Sequence, residues 1–256
     1  MQPRKIPIRL IIMLGFVLFS VASYYMKSQV NPVTGEKQRV DLSPEQEVAM
    51  GLQSAPSMAA EFGGLYPDEN VQLKIRAIGM RIVNSSQAAK SPYQFNFHVL
   101  ADENVINAFA LPGGQIFITA ALLKRLDSED QVAAVLGHEI GHVINRHSAE
   151  QMAKQGLMNG IVQGVAMGSD MSGAQVANYV GQMMNLKYGR DDELEADDYG
   201  VRYTNDAGYN PRAAIRVQQI LAEASGGKQR DEMNSTHPSS ESRIQKIEAA
   251  LKKLGK

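Results

Sequence analysis

The sequence contains no cysteine. That absence excludes a disulfide framework, thiolate metal sites, a cysteine nucleophile and an N-terminal lipid-modified cysteine. Any metal must therefore be held by His, Asp or Glu. Neither sign of charge is in excess: 26 Lys+Arg against 27 Asp+Glu leave a net charge of -1. No whole-protein positive field exists to hold a polyphosphate backbone, which argues against nucleic acid as a partner. Long apolar runs are also scarce, the one example lying at the N-terminus. What remains, 256 residues with 44% hydrophobic and 21% charged, is an ordinary globular composition with enough apolar side chains for a sizeable core.

The charge is uneven along the chain. Arg4, Lys5 and Arg9 stand in the first 26 residues with no acid, so the rest is mildly acidic. After this basic opening, Leu10 to Val21 is apolar and continues less purely to Met26. Cations held in the cytoplasm ahead of an apolar segment entering a bilayer are the physics of export. Residues 1–26 are thus expected to be a signal peptide or an N-terminal membrane anchor. Val21-Ala-Ser23 could serve for cleavage, while the 17 residues from Leu10 to Met26 reach the lower limit of a membrane-crossing helix. Either way, the remainder should lie outside the cytoplasm, facing a periplasm from an inner membrane or free within it.

Residues 27–42, with Asn31-Pro32 and Thr34-Gly35, read as an extended linker, and residues 43–256 as the functional domain. Ser43-Pro-Glu-Gln46 carries a capping box with proline at the first helical position. Val71, Ile75, Ile78 and Ile82 predict an amphipathic helix, and alternation through Phe95, Phe97 and Val99 predicts a strand over 94–100. Asn107 to Thr119 reads as two short strand pieces around a Pro-Gly-Gly turn. Ser128-Glu-Asp-Gln131 is a second capping box, which opens a helix.

That helix contains His138-Glu139-Ile140-Gly141-His142. Histidines four apart lie about 40° apart around a helix and one turn along it, so both imidazoles can face one ion. Glu139, on the adjacent face, can reach a water on that ion without ligating it. With five His in 256 residues, chance alone gives HExxH on the order of once in a hundred such chains. An apolar stripe of Val132, Leu136, Val143 and Ile144 embeds the motif in the core, where imidazoles need partners. Catalytic zinc takes three protein ligands and leaves a place for water. His147 does not fit the spacing of a third ligand on the same helix, since it lies about 140° around from His142. It reads as a surface or capping histidine. Glu193-Leu-Glu-Ala-Asp197 fits better: Glu193 would bind the ion, and Asp197, one turn on, would accept the free N–H of His138. Asp191 or Asp192 is a suitable N-cap.

These motifs, together with Asn31-Pro-Val-Thr-Gly35, Asn107-Ala-Phe-Ala-Leu-Pro-Gly-Gly114 and Thr236-His-Pro238, resemble the membrane-associated zinc endopeptidases. That family includes the CAAX prenyl protease, the HtpX-like heat-shock proteases and the Oma-like and periplasmic quality-control members. The resemblance implies one Zn2+ per chain on His138, His142 and Glu193, with Glu139 as catalytic acid/base. It also implies a role for His237, as support for the transition state or as an inhibitory ligand. The expected fold is α+β and mostly helical, zincin-like, with a small sheet edging the active-site cleft. The chain departs from the prenyl-protease branch in lacking several membrane helices, which makes prenylated substrates doubtful.

An endopeptidase also needs to hold its substrate. A strand at Asn107, Ala108, Phe109 and Ala110 could pair with polypeptides in extended conformation whatever their side chains. The expected function is hydrolysis of unfolded or misassembled envelope proteins. The alternatives are a metal-containing chaperone or scaffold that binds such clients without turnover, and a zinc amidase acting on cell-wall peptides. Residues 151–190, with glycine at 156, 160, 164 and 168, leave three roles open: a segment over the active site, a close-packed helix, or a membrane contact.

Overall fold

The computed structural model describes residues 7–168, 188–224, 230–231, 237 and 241–256. The chain divides into two compact units: one formed by 1–30, 36–41 and 149–186, the other by 31–35, 42–148 and 187–256.

The first unit holds helix α1 (Ile8–Met26), a hairpin of β1 (Gln29–Val30) and β2 (Lys37–Gln38), and most of α6 (His147–Gly168). A two-residue ladder thus stands where an extended linker was expected. Helix α1 buries no residue and exposes Ile8, Ile11, Leu14, Leu18 and Phe19. It is long and apolar enough to cross a membrane. Two of the glycines of α6 face it: a Cβ at Gly160 would run into Ser20 Oγ, and one at Gly164 would sit 3.1 Å from Phe16 Cβ. Close helix contact is therefore what the small residues at 160 and 164 provide. The rest of the 151–190 stretch, from 169 to 187, lies outside the described residues.

The second unit is built around α5 (Glu129–Ile144), buried from Gln131 to Ile144. A helix apolar on one stripe needs one covering layer, whereas one buried on every side must be enclosed. Around it stand α3 (Glu69–Ser85), α7 (Arg190–Asp206), α8 (Ala213–Ala224) and a three-stranded sheet. In that sheet β3 (Asn96–Leu100) runs parallel to β6 (Gln115–Thr119), and β5 (Ala108–Ala110) runs antiparallel to β6 at the edge. Between β5 and β6 the Pro112–Gly114 turn holds Gly113 at φ 78° and Gly114 at φ 111°, a region closed to most side chains. The short strand β4 (Val105–Ile106) pairs in parallel with β7 (Arg230–Asp231). Helices α2 (Pro44–Glu61), α4 (Ala120–Leu123) and α9 (Glu241–Lys253), with a 3-10 turn at Gln87–Lys90, complete the described elements.

Local chemistry explains the boundaries. Ser43 and Gln46 close the reciprocal box at the start of α2. At α5 only half of the expected box forms. Ser128 Oγ accepts from Gln131 N at 3.3 Å, but the Gln131 side chain reaches one residue further back, to Asp127 N. The start of α7 differs from expectation too: its N-cap is Gly189, and Asp192, two positions inside the helix start, accepts from Gly189 N at 2.9 Å.

The C-terminal end of α5 leaves carbonyls that need donors. Asn31 Nδ2 donates to Ile144 O at 2.8 Å, and Asn145 Nδ2 donates to Gly141 O at 3.0 Å. Arg146 follows in the left-handed region, at φ 57°. Its buried guanidinium compensates by pairing with Glu47 and donating to Leu42 O at 2.7 Å. The chain therefore turns sharply immediately after the helix that carries the HExxH sequence.

Candidate metal centre

Helices α5 and α7 cross at a contact made of glycine. A Cβ on Gly200 would lie 3.0 Å from His138 N and 3.1 Å from His138 Cα, and one on Gly137 2.8 Å from Thr204 Oγ1. With no side chain at positions 137 and 200, the helices bring one turn of each together. His138 Nε2 and His142 Nε2 stand 3.0 Å apart. Glu193 reaches both rings, with Oε2 at 3.5 Å from His138 Nε2 and Oε1 at 3.4 Å from His142 Nε2. His237 Nδ1 joins at 2.8 Å from Glu193 Oε1 and 3.4 Å from His138 Nε2. His138, His142, Glu193 and His237 each offer one donor atom, all within 4.8 Å of one another and all buried. Four donors of this kind, converging away from water, can hold a divalent cation.

The surroundings fix this arrangement. His138 Nδ1 lies 2.9 Å from Asp197 Oδ1. Arg243 donates through Nε and Nη2 to Asp197 at 2.7 and 2.6 Å, pairs with Glu193 Oε2 at 2.7 Å, and donates to His237 O at 3.3 Å. One buried guanidinium thus ties two carboxylates to the segment that carries His237. Arg243 thus both anchors the His237 backbone and contacts the site.

The groups of the cluster shift one another's proton affinities. Burial and the Arg243 charge oppose a proton on His138, but hydrogen bonds to Asp197 and Glu193 outweigh them, lifting its pKa to about 9. Burial, with the neighbouring His138 and His237, presses His142 well below the usual imidazole range despite Glu193. Burial works to raise Glu193, yet His237, His138 and His142 hold it far below the ordinary carboxylate value. Metal binding must therefore displace a proton from His138.

Glu139 is different. It is fully buried, and among the described residues neither carboxylate oxygen has a hydrogen-bond partner; His237 Nε2 stands 3.9 Å from its Oε1. Burial alone accounts for most of its raised pKa. A carboxylate kept without donors inside a protein is costly, and it is the state expected of a base whose partner is a water.

Residues 69–251 match peptidase family M48. The chain belongs to peptidase family M48. It is 32% identical over 233 residues to the mitochondrial metalloendopeptidase OMA1 of Schizosaccharomyces pombe, covering 89% of this chain and 68% of that protein. Identity to the beta-barrel assembly-enhancing protease of Escherichia coli strain K12 is 30% over 224 residues. That match covers 83% of this chain and 45% of the relative, so the chain spans under half the length of that protein. To OMA1 of Saccharomyces cerevisiae it is 28% identical over 249 residues, covering 90% of this chain and 71% of that one. This M48 peptidase is a metalloprotease, as the Oma-like and HtpX-like resemblance implied, and its fold is the mostly helical, zincin-like α+β expected. Its substrates are polypeptides.

The residues picked from the sequence are distributed as follows. His138, Glu139, His142, Glu193, Asp197 and His237 come together. Asn107, Ala108, Phe109 and Ala110 form the sheet edge: Asn107 N and O are bound to Thr119 at 3.1 and 3.0 Å, and β5 has no strand on its outer side among the described residues. His147 corrects the sequence reading. It is buried, not on the surface, and its Nδ1 lies 2.8 Å from His142 Nδ1. The 140° separation assumed a helix that continues, but α5 ends at Ile144 and the left-handed Arg146 turns His147 back toward the motif. Tyr188 carried no sequence signal. Its ring stacks on His142 at 4.3 Å, and its hydroxyl meets Ser148 Oγ at 2.8 Å. A cavity of ≈ 510 Å³ opens beside Glu193 and Arg243, lined also by Tyr188, Arg190 and Glu241.

Proposed function

We propose that this M48 metalloprotease is a zinc-dependent endopeptidase that cleaves unfolded or misassembled envelope proteins outside the cytoplasm. On this reading residues 1–26 are the membrane anchor or export signal, 27–42 a connection and 43–256 the peptidase domain. The observation that carries the chemistry is the orphaned carboxylate of Glu139 beside a buried His–His–Glu set. Imidazole and carboxylate donors with no thiolate suit zinc. His138, His142 and Glu193 would hold the ion. When bound, it polarises the scissile carbonyl and acidifies a water.

The chain's own residues do the rest. Glu139, without another hydrogen-bond partner among the described residues, takes the proton of the attacking water and returns it to the leaving amine. Asp197 accepts the Nδ1 proton of His138, which keeps Nε2 free as a donor to the cation. Arg243 holds Glu193 and Asp197 in their rotamers. The edge strand from Asn107 to Ala110 offers backbone groups to an extended substrate, so selection depends on an unfolded main chain more than on side chains. That preference, the apolar α1 and the beta-barrel assembly-enhancing and mitochondrial relatives support misassembled membrane-facing proteins as substrates.

The chaperone alternative loses ground at Glu139, because a site that only binds clients has no use for an unpartnered buried acid. For His237 the geometry favours the inhibitory role. Its Nδ1 stands among the donors, where it would fill the fourth corner that water needs. His237→Ala should then cleave casein faster than wild type; a slower variant would return the residue to transition-state support.

The test of the main reading is Glu139→Gln in the purified chain. An amide can orient water but cannot take its proton, so zinc should be retained at one per chain while casein cleavage falls by about 10²–10⁴-fold. Cleavage at the wild-type rate would refute the assignment.

A further inference from the structure

Both rings of the HExxH motif need their second nitrogen held, and only one has a direct carboxylate. His138 has Asp197 at 2.9 Å. For His142 the neighbour is another imidazole: Nδ1 of His147 at 2.8 Å, with His147 Nε2 in turn 3.2 Å from Glu195 Oε2. We propose that His147, held by Glu195, is the positioning residue of His142, fixing the tautomer and ring orientation with which His142 meets the cation. This rests on the reading of His142 as a ligand.

The protons allow one consistent arrangement. Two Nδ1 atoms at 2.8 Å share a single proton between them. Glu195, as a carboxylate, only accepts, so it keeps a proton on His147 Nε2. His147 Nδ1 is then bare and must accept, which places the shared proton on His142 Nδ1. The lone pair of His142 is thereby left on Nε2, the atom that faces His138 Nε2 and Glu193 Oε1. The opposite order would put a proton on His142 Nε2 and prevent it from ligating.

The placement is built into the backbone. Left-handed Arg146, anchored on Glu47, directs His147 back across the end of α5. Glu195 comes from α7, between Glu193 and Asp197, so one helix supplies a ligand and the outer partners of both rings. His147 is almost fully buried while the Glu195 side chain is partly exposed, so the imidazole is the larger contributor. Tyr188 stacks on the His142 ring with centroids 4.3 Å apart, which restrains the plane in which that ring lies.

The experiment uses the purified full chain and zinc as the probe, with metal content, competition titration against a chelator and the visible spectrum of the cobalt-loaded form. His147→Phe keeps the bulk but removes the acceptor. It should weaken zinc about 10–100-fold and shift the cobalt bands. His147→Asn should recover most of the affinity, because its side-chain oxygen can accept the His142 proton. Glu195→Ala should cost less than His147→Phe, water replacing the exposed carboxylate. The proposal is overturned if His147→Phe binds zinc like wild type with an unchanged cobalt spectrum, or if Asn is no better than Phe. His142→Ala separates the two levels: if it retains full zinc, the ligand reading falls and this proposal with it, whereas a metal-free His142→Ala beside an unaffected His147→Phe defeats the proposal alone.

Discussion

Gly200→Ala probes whether the ligand geometry depends on the glycine crossing of α5 and α7. The added Cβ would lie 3.0 Å from His138 N, 3.1 Å from His138 Cα and 3.2 Å from Gly137 C. All three are backbone atoms of a buried helix, so no flexible side chain can yield. Restoring ordinary contact requires the helices to part by a few tenths of an ångström. Such overpacking costs about 1–3 kcal/mol, against which alanine gains about 1 kcal/mol of helix propensity. A net loss of up to about 2 kcal/mol in the metal-free protein follows from these two terms. The metal feels the change more, because the displacement approaches the roughly 0.5 Å tolerance of a functional constellation and separates His138 from Glu193 across that crossing. Zinc affinity should fall at least about tenfold, in the range seen when the support of a ligand is disturbed. Thermal unfolding without metal and chelator competition measure the two effects. Gly156→Ala is the control: an added Cβ there meets nothing within 4 Å, so that variant should lose neither stability nor affinity. Wild-type zinc binding by Gly200→Ala with a raised unfolding temperature would refute the packing argument.

Arg243→Leu leaves two buried carboxylates without their cation and should destabilise the protein by about 3–5 kcal/mol, measured by urea unfolding; a change under about 1 kcal/mol would contradict the clamp. The protonated His138 gives a pH signature. Its pKa is raised to about 9 in the metal-free fold, so the stabilisation is fully present below the unfolded value of about 6.5. It is lost as pH rises through 9. Metal replaces that proton, so the rise in unfolding temperature on adding zinc should grow between pH 6.5 and 9, and a flat or falling difference would contradict it. A flexible peptide substrate bearing proline at a backbone-pairing position should be cleaved more slowly than its parent, since proline has no N–H to donate to the β5 edge; equal rates would count against strand pairing.

The convergence of His138, His142 and Glu193 was legible because its determinants are local. The i, i+4 spacing of His138 and His142 and of Glu193 and Asp197 puts each pair on one face of its own helix, and the joint presence of both patterns implies that the faces meet. The strand and turn pieces from Asn96 to Thr119 follow from alternation and from Pro-Gly-Gly. What was illegible depends on where a helix stops. His147 was projected along a helix that ends three residues earlier, and nothing in single-residue preference puts Arg146 in the left-handed region. That conformation is imposed by Glu47, 99 positions away, and tertiary constraints of this kind have no sequence period. Arg243, near the start of α9, gave no hint of three separate contacts for the same reason. Tyr188 approaches His142 from a stretch whose composition suggested several roles and indicated none.

The most direct test of the account is X-ray absorption at the zinc edge on the loaded wild-type chain and on Glu193→Ala. Wild type should give a first shell of imidazole nitrogens and carboxylate oxygen at about 2.0–2.2 Å, and loss of Glu193 should remove the oxygen scattering or the metal itself. A wild-type shell without imidazole, or a Glu193→Ala protein with the same shell and the same zinc content, would contradict the convergence of α5 and α7 on one ion.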